Sequence, residues 1–388
     1  MKEQKTLEVS QYALVHRPRT FDEVKGQANI VKEFKQRSTM NKFPSAMLFQ
    51  GPTGTGKTTL AFLVAAAIQC GHTDEKGNPC GECESCRDIF EEKFSRGCTH
   101  MLDGSSSSKD DVIQRIEESV HTVPMHGPKH VFIIEEIDQL STAAKNAFHK
   151  FLEKPSPYVH FILLSMTDAN GNKVPQSIMD RCQPYHFKNI VEKDIAYALK
   201  GILEKEGLWA DLPAEFKKEG LFMLVNNAKG SLRRAIQFLE RAMIGEFFTI
   251  KDIEDNFKFL SETSTLGVLE SILTGKAEKA VKGLEEMRKE GNIVDWVHIV
   301  AFFLLRHEQN VVSETAFDES PSSSLFKRIQ KNTPEVYVKF YTRFMQLVEA
   351  IRHGPYMTNT HVNLQVLQMI KELHADKNPE KIPVRGKR

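Results

Sequence analysis

Between residue 45 and about residue 190, short apolar runs alternate with stretches of helical spacing. The runs are SAMLFQ (45–50), HMLDG (100–104), HVFIIEE (130–136), HFILLSM (160–166) and PYHFKN (184–189). Such runs predict strands buried on both faces, and the helices between them predict a parallel sheet covered on both sides. Ligands of such sheets sit at the carboxyl ends of the strands. After about residue 190 the strand signal stops. VEKDIAYALKGILEKEGL and PAEFKKEGLFMLVNNAKGSLRRAIQFLERAM repeat with helical period and predict a small bundle. TIKDIEDNF (249–257) reads as a boundary, and amphipathic helices are predicted beyond it over 264–274, 276–290, 293–310, 334–353 and 360–375. A loop is expected at 319–324 and a polar, basic, disordered tail at the end. The large apolar positions Trp296, Phe302, Phe303, Tyr337, Phe340 and Phe344 read as core.

At 388 residues the chain exceeds one ordinary core, so two or three domains are expected. A net charge of +1 excludes a globally basic nucleic-acid binder and leaves only local basic surface for that purpose. The N-terminus lacks an apolar signal stretch. The most apolar later segment, Ile293 to Leu305, is broken by Asp295 and His298 and falls short of the ~20 residues a membrane span needs. A cytoplasmic protein with reduced cysteines and no membrane partner is expected.

GPTGTGKTT (Gly51, Pro52, Thr53, Gly54, Thr55, Gly56, Lys57, Thr58, Thr59) fits G-x-x-x-x-G-K-[ST] between a predicted strand and a predicted helix. In that context backbone N–H groups and a helix N-terminus cradle phosphates, Lys57 pairs with the β/γ-phosphates, and Thr58 holds Mg²⁺. HVFIIEEID delivers Glu135 and Glu136 to the same edge of the sheet. One carboxylate would serve Mg²⁺ through water and the other would polarise the attacking water.

Four cysteines stand close together: Cys70, Cys80, Cys83 and Cys86, in the spacing C-x9-C-x2-C-x2-C. A dithiol redox site would use two of them, and an iron–sulfur run is normally followed by a nearby Cys-Pro, absent here. Four thiolates match tetrahedral Zn²⁺, which would make the segment a structural clip remote from the chemistry. Cys98 and Cys182 read as buried thiols.

These residues carry a resemblance. Region 12–245 resembles the gamma/tau ATPase subunit of bacterial DNA polymerase III clamp loaders, an AAA+ family. YALVHRPRTFDEVKGQ (12–27) is similar to the family's opening segment, IMDRC (178–182) to its Ser-Arg-Cys motif and GSLRRAI (230–236) to its sensor-2 motif. The resemblance implies an AAA+ nucleotide-binding domain over 1–190 with a zinc module at 70–86. It further implies a helical lid over 191–246, an all-α collar over 247–375 and a tail over 376–388. Arg17 and Val24 would lie at the adenine, Arg233 at the γ-phosphate in cis, and Arg181 would act in trans on the neighbouring subunit's ATP. Ser107, Ser108 and Lys109, with Thr142 and Lys145, would follow DNA phosphates, although helix capping by Ser108 and Thr142 explains those positions equally well. The resemblance in turn strengthens the zinc reading, because clamp-loader subunits of this type insert a similar zinc module after the phosphate-loop helix.

The implied function is ATP-driven opening of a sliding clamp and its loading on primer–template DNA. The chain would work with other clamp-loader subunits in a hetero- or homo-oligomeric, pentameric ring. Three departures stand out: Glu135 where the family has Asp, Asp180 before Arg181 in place of Ser, and Met166 at or beside the sensor-1 position, where Ser165 or Thr167 are the alternatives. They read as a divergent member, bacterial or phage, and leave a weakly or non-hydrolysing scaffold subunit as the second reading. A small-molecule kinase would need an acceptor lid in place of GSLRRAI, and another AAA+ DNA motor would leave the cysteines unexplained.

Overall fold

The computed structural model describes residues 11–94, 98–105, 109–120, 122–124, 127–166, 174–257, 262–274, 276–289, 296–297, 300, 334–353 and 359–374. The expected loop at 319–324 and the tail, along with Phe302, Phe303, Ser107, Ser108 and Thr167, lie outside them. The chain forms two compact units, Met1–Ile250 and Lys251–Arg388.

The first unit is built on five strands, β1 (Ala46–Gln50), β2 (Thr99–Asp103), β3 (His130–Glu135), β4 (Val159–Ser165) and β5 (Gln183–His186). Their order is β2-β3-β4-β1-β5 and every pairing is parallel. All five runs marked in the sequence are strands of this sheet. β1 is buried along its whole length, as a strand covered on both faces must be.

One face carries α2 (Ala28–Thr39), α3 (Lys57–Gln69) and α4 (Glu84–Phe90); the other carries α5 (Lys109–Val120), α6 (Thr142–Glu153) and α7 (Gln176–Met179). Alternate strand residues feed the two cores: Met47 and Ile133 pack with α3, Leu48 and Phe132 with the α6 side. From Leu60 to Gln69, α3 is buried on every side. Small Ala65, Ala66 and Ala67 let it fit between the sheet and its flanking helices.

The same unit contains a helical bundle after β5: α8 (Glu192–Lys205), α9 (Leu221–Asn227) and α10 (Leu232–Ile244). The short α1 (Gln11–Val15) packs on α10, and the Tyr12 amide donates to Glu240 Oε1 at 3.3 Å. Ser231 caps α10, its hydroxyl accepting the Arg234 N–H, so the GSLRR motif sits at a helix start.

The boundary segment is α11 (Ile250–Phe257). The second unit contains α12 (Glu262–Leu273), α13 (Ala277–Lys289), α14 (Pro334–His353) and α15 (Asn359–His374). Its core holds Trp296, Tyr337, Phe340 and Phe344, with Trp296 edge-on to Phe344 at 5.8 Å between ring centroids. Those four are core residues, as their spacing suggested.

Candidate nucleotide site

A cavity of about 1100 Å³ opens at the carboxyl edge of the sheet, between the strand ends and the α8–α10 bundle. Its phosphate half begins where β1 ends. Gly54 and Gly56 adopt φ of +78° and +95°, left-handed values that a residue with a Cβ resists. They turn the chain so that α3 starts at Lys57 with its first N–H groups facing the cavity. Thr55 is buried and braces the turn from within, its hydroxyl donating to the Pro52 carbonyl at 2.8 Å.

Lys57 is folded back on its own loop, donating to the carbonyls of Gly51 and Pro52 at 2.7 and 2.8 Å. Burial brings its ammonium down to about 8, against the opposing pull of Glu135 and Asp138. Beside it the Thr58 hydroxyl donates to Glu135 Oε1 at 2.7 Å, joining the first turn of α3 to the end of β3. The longer carboxylate at position 135 therefore reaches the threonine. Glu136 follows with φ of +49°, and this left-handed turn starts the short helical turn Ile137–Gln139. Both glutamates line the cavity.

Asp138 had no role assigned from sequence, and Met166 stood at or beside the expected sensor-1 position. Asp138 is buried and accepts a hydrogen bond from Ser165 at 3.1 Å, tying the ends of β3 and β4 together. Met166 is 42% exposed and lines the cavity, with the Thr53 hydroxyl 2.9 Å from its sulfur. Ser165 and Met166 both face the cavity, and Ser165 is the one held by a carboxylate.

From the bundle, the Leu232 N–H donates to the Gly54 carbonyl at 3.0 Å, Ser231 packs on Gly54, and Arg233 lines the cavity. The GSLRR motif thus touches the phosphate loop directly.

The other half is formed by the N-terminal segment, Phe62 of α3 and the α8 face with Tyr197, Ala198 and Gly201. Arg17 lies over the Phe62 ring, 4.7 Å from its centroid, and its guanidinium pairs with Glu92 at 2.7 Å. His16 bonds Glu206 at 2.8 Å and Lys205 pairs with Glu23 at 3.2 Å, fastening the same segment to α8. Val24, expected at the adenine, does not line the cavity. It packs against the core cluster instead, and Pro18 and Lys25 line the cavity around it. An apolar Val at this depth gains more from the core than from an open wall.

The four cysteine sulfurs lie within 4.8 Å of one another, and none is in a disulfide. Cys70 and Cys86 are buried, and N–H groups of His72 and Cys80 point at Cys70 Sγ, that of Cys83 at Cys80 Sγ. Burial drives the Cys86 thiol up; at Cys80 burial is outweighed by N–H bonds from Cys83 and Glu82 and by the neighbouring thiols, which bring it to about 6. Four convergent sulfurs, one already acidified, fit a metal ion held by thiolates. No residue of 70–86 lines the cavity; Glu92, two residues past the end of α4, does.

Arg181 lies outside the cavity lining, paired with Glu153 at 3.1 Å and donating to the Ser177 carbonyl. Lys109 and Thr142 begin α5 and α6, whose N-cap on α6 is Ser141, accepting the Ala144 N–H at 3.1 Å. Lys145 donates to the Asp138 carbonyl at 2.7 Å.

Parallel sheet, phosphate loop, strand-end carboxylates and a bundle reaching the loop define an AAA+ type nucleotide-binding domain followed by a helical unit. A family model described as DNA polymerase III, delta subunit, matches residues 26–191, from the N-terminal segment to just past β5. The DNA polymerase III subunit gamma/tau of Mycoplasma genitalium is 26% identical over 339 residues, covering 82% of this chain and 54% of that protein. The DNA polymerase III subunit tau of Bacillus subtilis is 32% identical over 282 residues, 71% of this chain and 47% of that protein. The chain spans about half the length of these two relatives. Among solved structures, that of the Thermotoga maritima RuvB Holliday junction branch migration motor overlaps 68% of this chain and 80% of its own, at 17% identity and a TM-score of 0.44. The resemblance to the gamma/tau subunits of bacterial DNA polymerase III is borne out by these relatives. Among the described residues, no helix is long and apolar enough to cross a membrane.

Proposed function

We propose that the chain is a cytoplasmic clamp-loader subunit that binds and hydrolyses ATP to open a sliding clamp and place it on primer–template DNA. The observation that carries this reading is the joined constellation of Lys57, Thr58, Glu135 and Glu136 around one cavity, in a chain related to DNA polymerase III gamma/tau. Lys57, released from the loop carbonyls, would pair with the β/γ-phosphates. Thr58 and Glu135 would hold Mg²⁺, which neutralises charge on the phosphate oxygens. Glu136 would orient and deprotonate the attacking water. The water oxygen bonds to the γ-phosphorus, the bond to the bridging oxygen of ADP breaks, and the water proton leaves through Glu136.

Arg233 would stabilise γ-phosphate charge from the bundle. Arg181 would do so for a neighbouring subunit's ATP within a ring, which its position outside the chain's own cavity supports. The four thiols would hold Zn²⁺ as a structural ion. Sequence-independent DNA contact is assigned to Ser107, Ser108, Lys109, Thr142 and Lys145, with Lys145 first giving up its bond to the Asp138 carbonyl.

The second reading, a nucleotide-binding scaffold with little turnover, draws on Met166, a thioether standing at the cavity where a polar group would contact phosphate. Glu136→Gln separates the two. The motor reading expects ATP binding to persist while DNA- and clamp-stimulated turnover falls by roughly 100-fold or more. Turnover equal to that of the unaltered protein would overturn it.

A further inference from the structure

The cysteine module is attached to the nucleotide cavity at its base-side wall. Beyond α3, residues 70–92 make three hydrogen bonds to the N-terminal segment. Asn78 Oδ1 accepts the Phe21 N–H at 2.9 Å, and Asn78 Nδ2 donates to Asp22 at 2.9 Å. Glu92 Oε1 accepts from Arg17 at 2.7 Å. Asn78 is itself fixed by the Asp74 carboxylate, which takes its backbone and side-chain N–H groups at 2.7 and 2.9 Å.

Glu92 is placed by the cysteines. Cys83 is the N-cap of α4, and Cys86 and Ile89 bury that helix against α3. Six residues of roughly helical rise, about 9 Å, separate Cys86 from Glu92. The chain then turns at Glu92 with φ of +57°, leaving its carboxylate on the cavity rim. There it meets Arg17, whose side chain is only 18% exposed and is held between Glu92 and the Phe62 ring. Arg17 thus depends on a carboxylate supplied by the module.

Resting on the ATP-binding reading above, we propose that Glu92 is a positioning residue: through Arg17 it lets the four-cysteine module set how tightly the cavity grips the nucleoside part of its ligand. The module then acts on the base half and leaves the phosphate half alone. Arg17 is constrained by a chain of contacts beginning at the thiols, whereas Lys57 and Thr58 are placed by the loop and β3. Loosening the thiols frees α4, Glu92 moves off the rim, and Arg17 no longer stays over Phe62.

The test measures binding of a fluorescent ATP analogue and, by competition, of inorganic tripolyphosphate, to the full chain and its variants. Lys57→Ala serves as control for the site: if the unaltered protein binds no nucleotide, or Lys57→Ala binds as well, the proposed function itself fails. Given a responsive control, Glu92→Gln should weaken the ATP analogue about three- to tenfold, the effect of losing one half-buried ion pair, with tripolyphosphate unchanged. Glu92→Asp should recover part of the loss. In an Arg17→Ala background, Glu92→Gln should add nothing. Chelator treatment, with metal content and melting temperature followed in parallel, should reproduce the Glu92→Gln pattern in the unaltered protein and not in Arg17→Ala. Unchanged analogue affinity in Glu92→Gln, an additive effect with Arg17→Ala, or equal losses for both ligands would overturn the proposal.

Discussion

The two halves of the cavity are built on different principles. The phosphate half is framed by backbone, left-handed Gly54 and Gly56 and the first turn of α3 with a lysine resting on loop carbonyls, to which Thr58–Glu135 and Ser165–Asp138 add side-chain bonds. The opposite half is made by side chains brought from far apart in sequence, Arg17 to Glu92, His16 to Glu206 and Glu23 to Lys205. Backbone geometry is set by local sequence and varies little. A wall of ion pairs shifts when any supporting element shifts, so it is the half through which other parts of the molecule gain influence.

Substitution at Lys57 should break the phosphate half outright. Lys57→Ala is expected to weaken ATP and tripolyphosphate alike, on the order of 100-fold, from loss of two charge-assisted hydrogen bonds worth roughly 1.5 kcal/mol each. Calorimetric titration of both ligands checks this; a loss confined to ATP would contradict the division into halves.

Cys86→Ser sharpens the contrast from the other side. Cys86 is fully buried, and its loss should lower the melting temperature by roughly 5–10 °C, for about 2–3 kcal/mol of metal-linked stability in a unit of this size. At temperatures where the variant stays folded, tripolyphosphate affinity should hold.

The smallest effect is one of pH, and it belongs to the phosphate half alone. With Lys57 brought to about 8 by burial, its ammonium is already charged below that pH and anion binding is flat there. Above it, binding must take up a proton, and affinity for both ligands should fall by up to about tenfold per unit. The free protein moves the other way. Its unfolded lysine keeps the proton to higher pH, so folding stability gains from this group as pH rises above 8. Titrations in buffers of different ionisation enthalpy would show the proton uptake; affinity unchanged from pH 8 to 9 would remove Lys57 as its source.

The same division governs what was legible in the sequence. GPTGTGKTT and HVFIIEE are local patterns; Thr53, Gly54, Gly56, Lys57, Thr58, Thr59, Glu135 and Glu136 from them line the cavity, while Gly51, Pro52 and Thr55 do not. The five apolar runs became five strands because fully buried strands allow no polar interruption. The four cysteines met because their spacing is short. Glu92 was not legible: it pairs with Arg17 across a separation of 75 residues and has no motif of its own. Which way Val24 faces was not legible either: it packs against the core cluster, and the facing of one apolar residue is decided by tertiary packing. Asp138 stood within the quoted HVFIIEEID with no role assigned; its burial and its contact with Ser165 give it a place.

One hydrogen bond joins the helical bundle to the phosphate loop at a single amide, from Leu232 N–H to the Gly54 carbonyl, with Ser231 seated on the glycine. This makes the Leu232 amide a reporter that needs no label. Whenever the bundle lifts from the loop the amide meets solvent, and whenever the two are seated it is shielded. Deuterium exchange at that one position would therefore time the opening of the cavity with and without nucleotide.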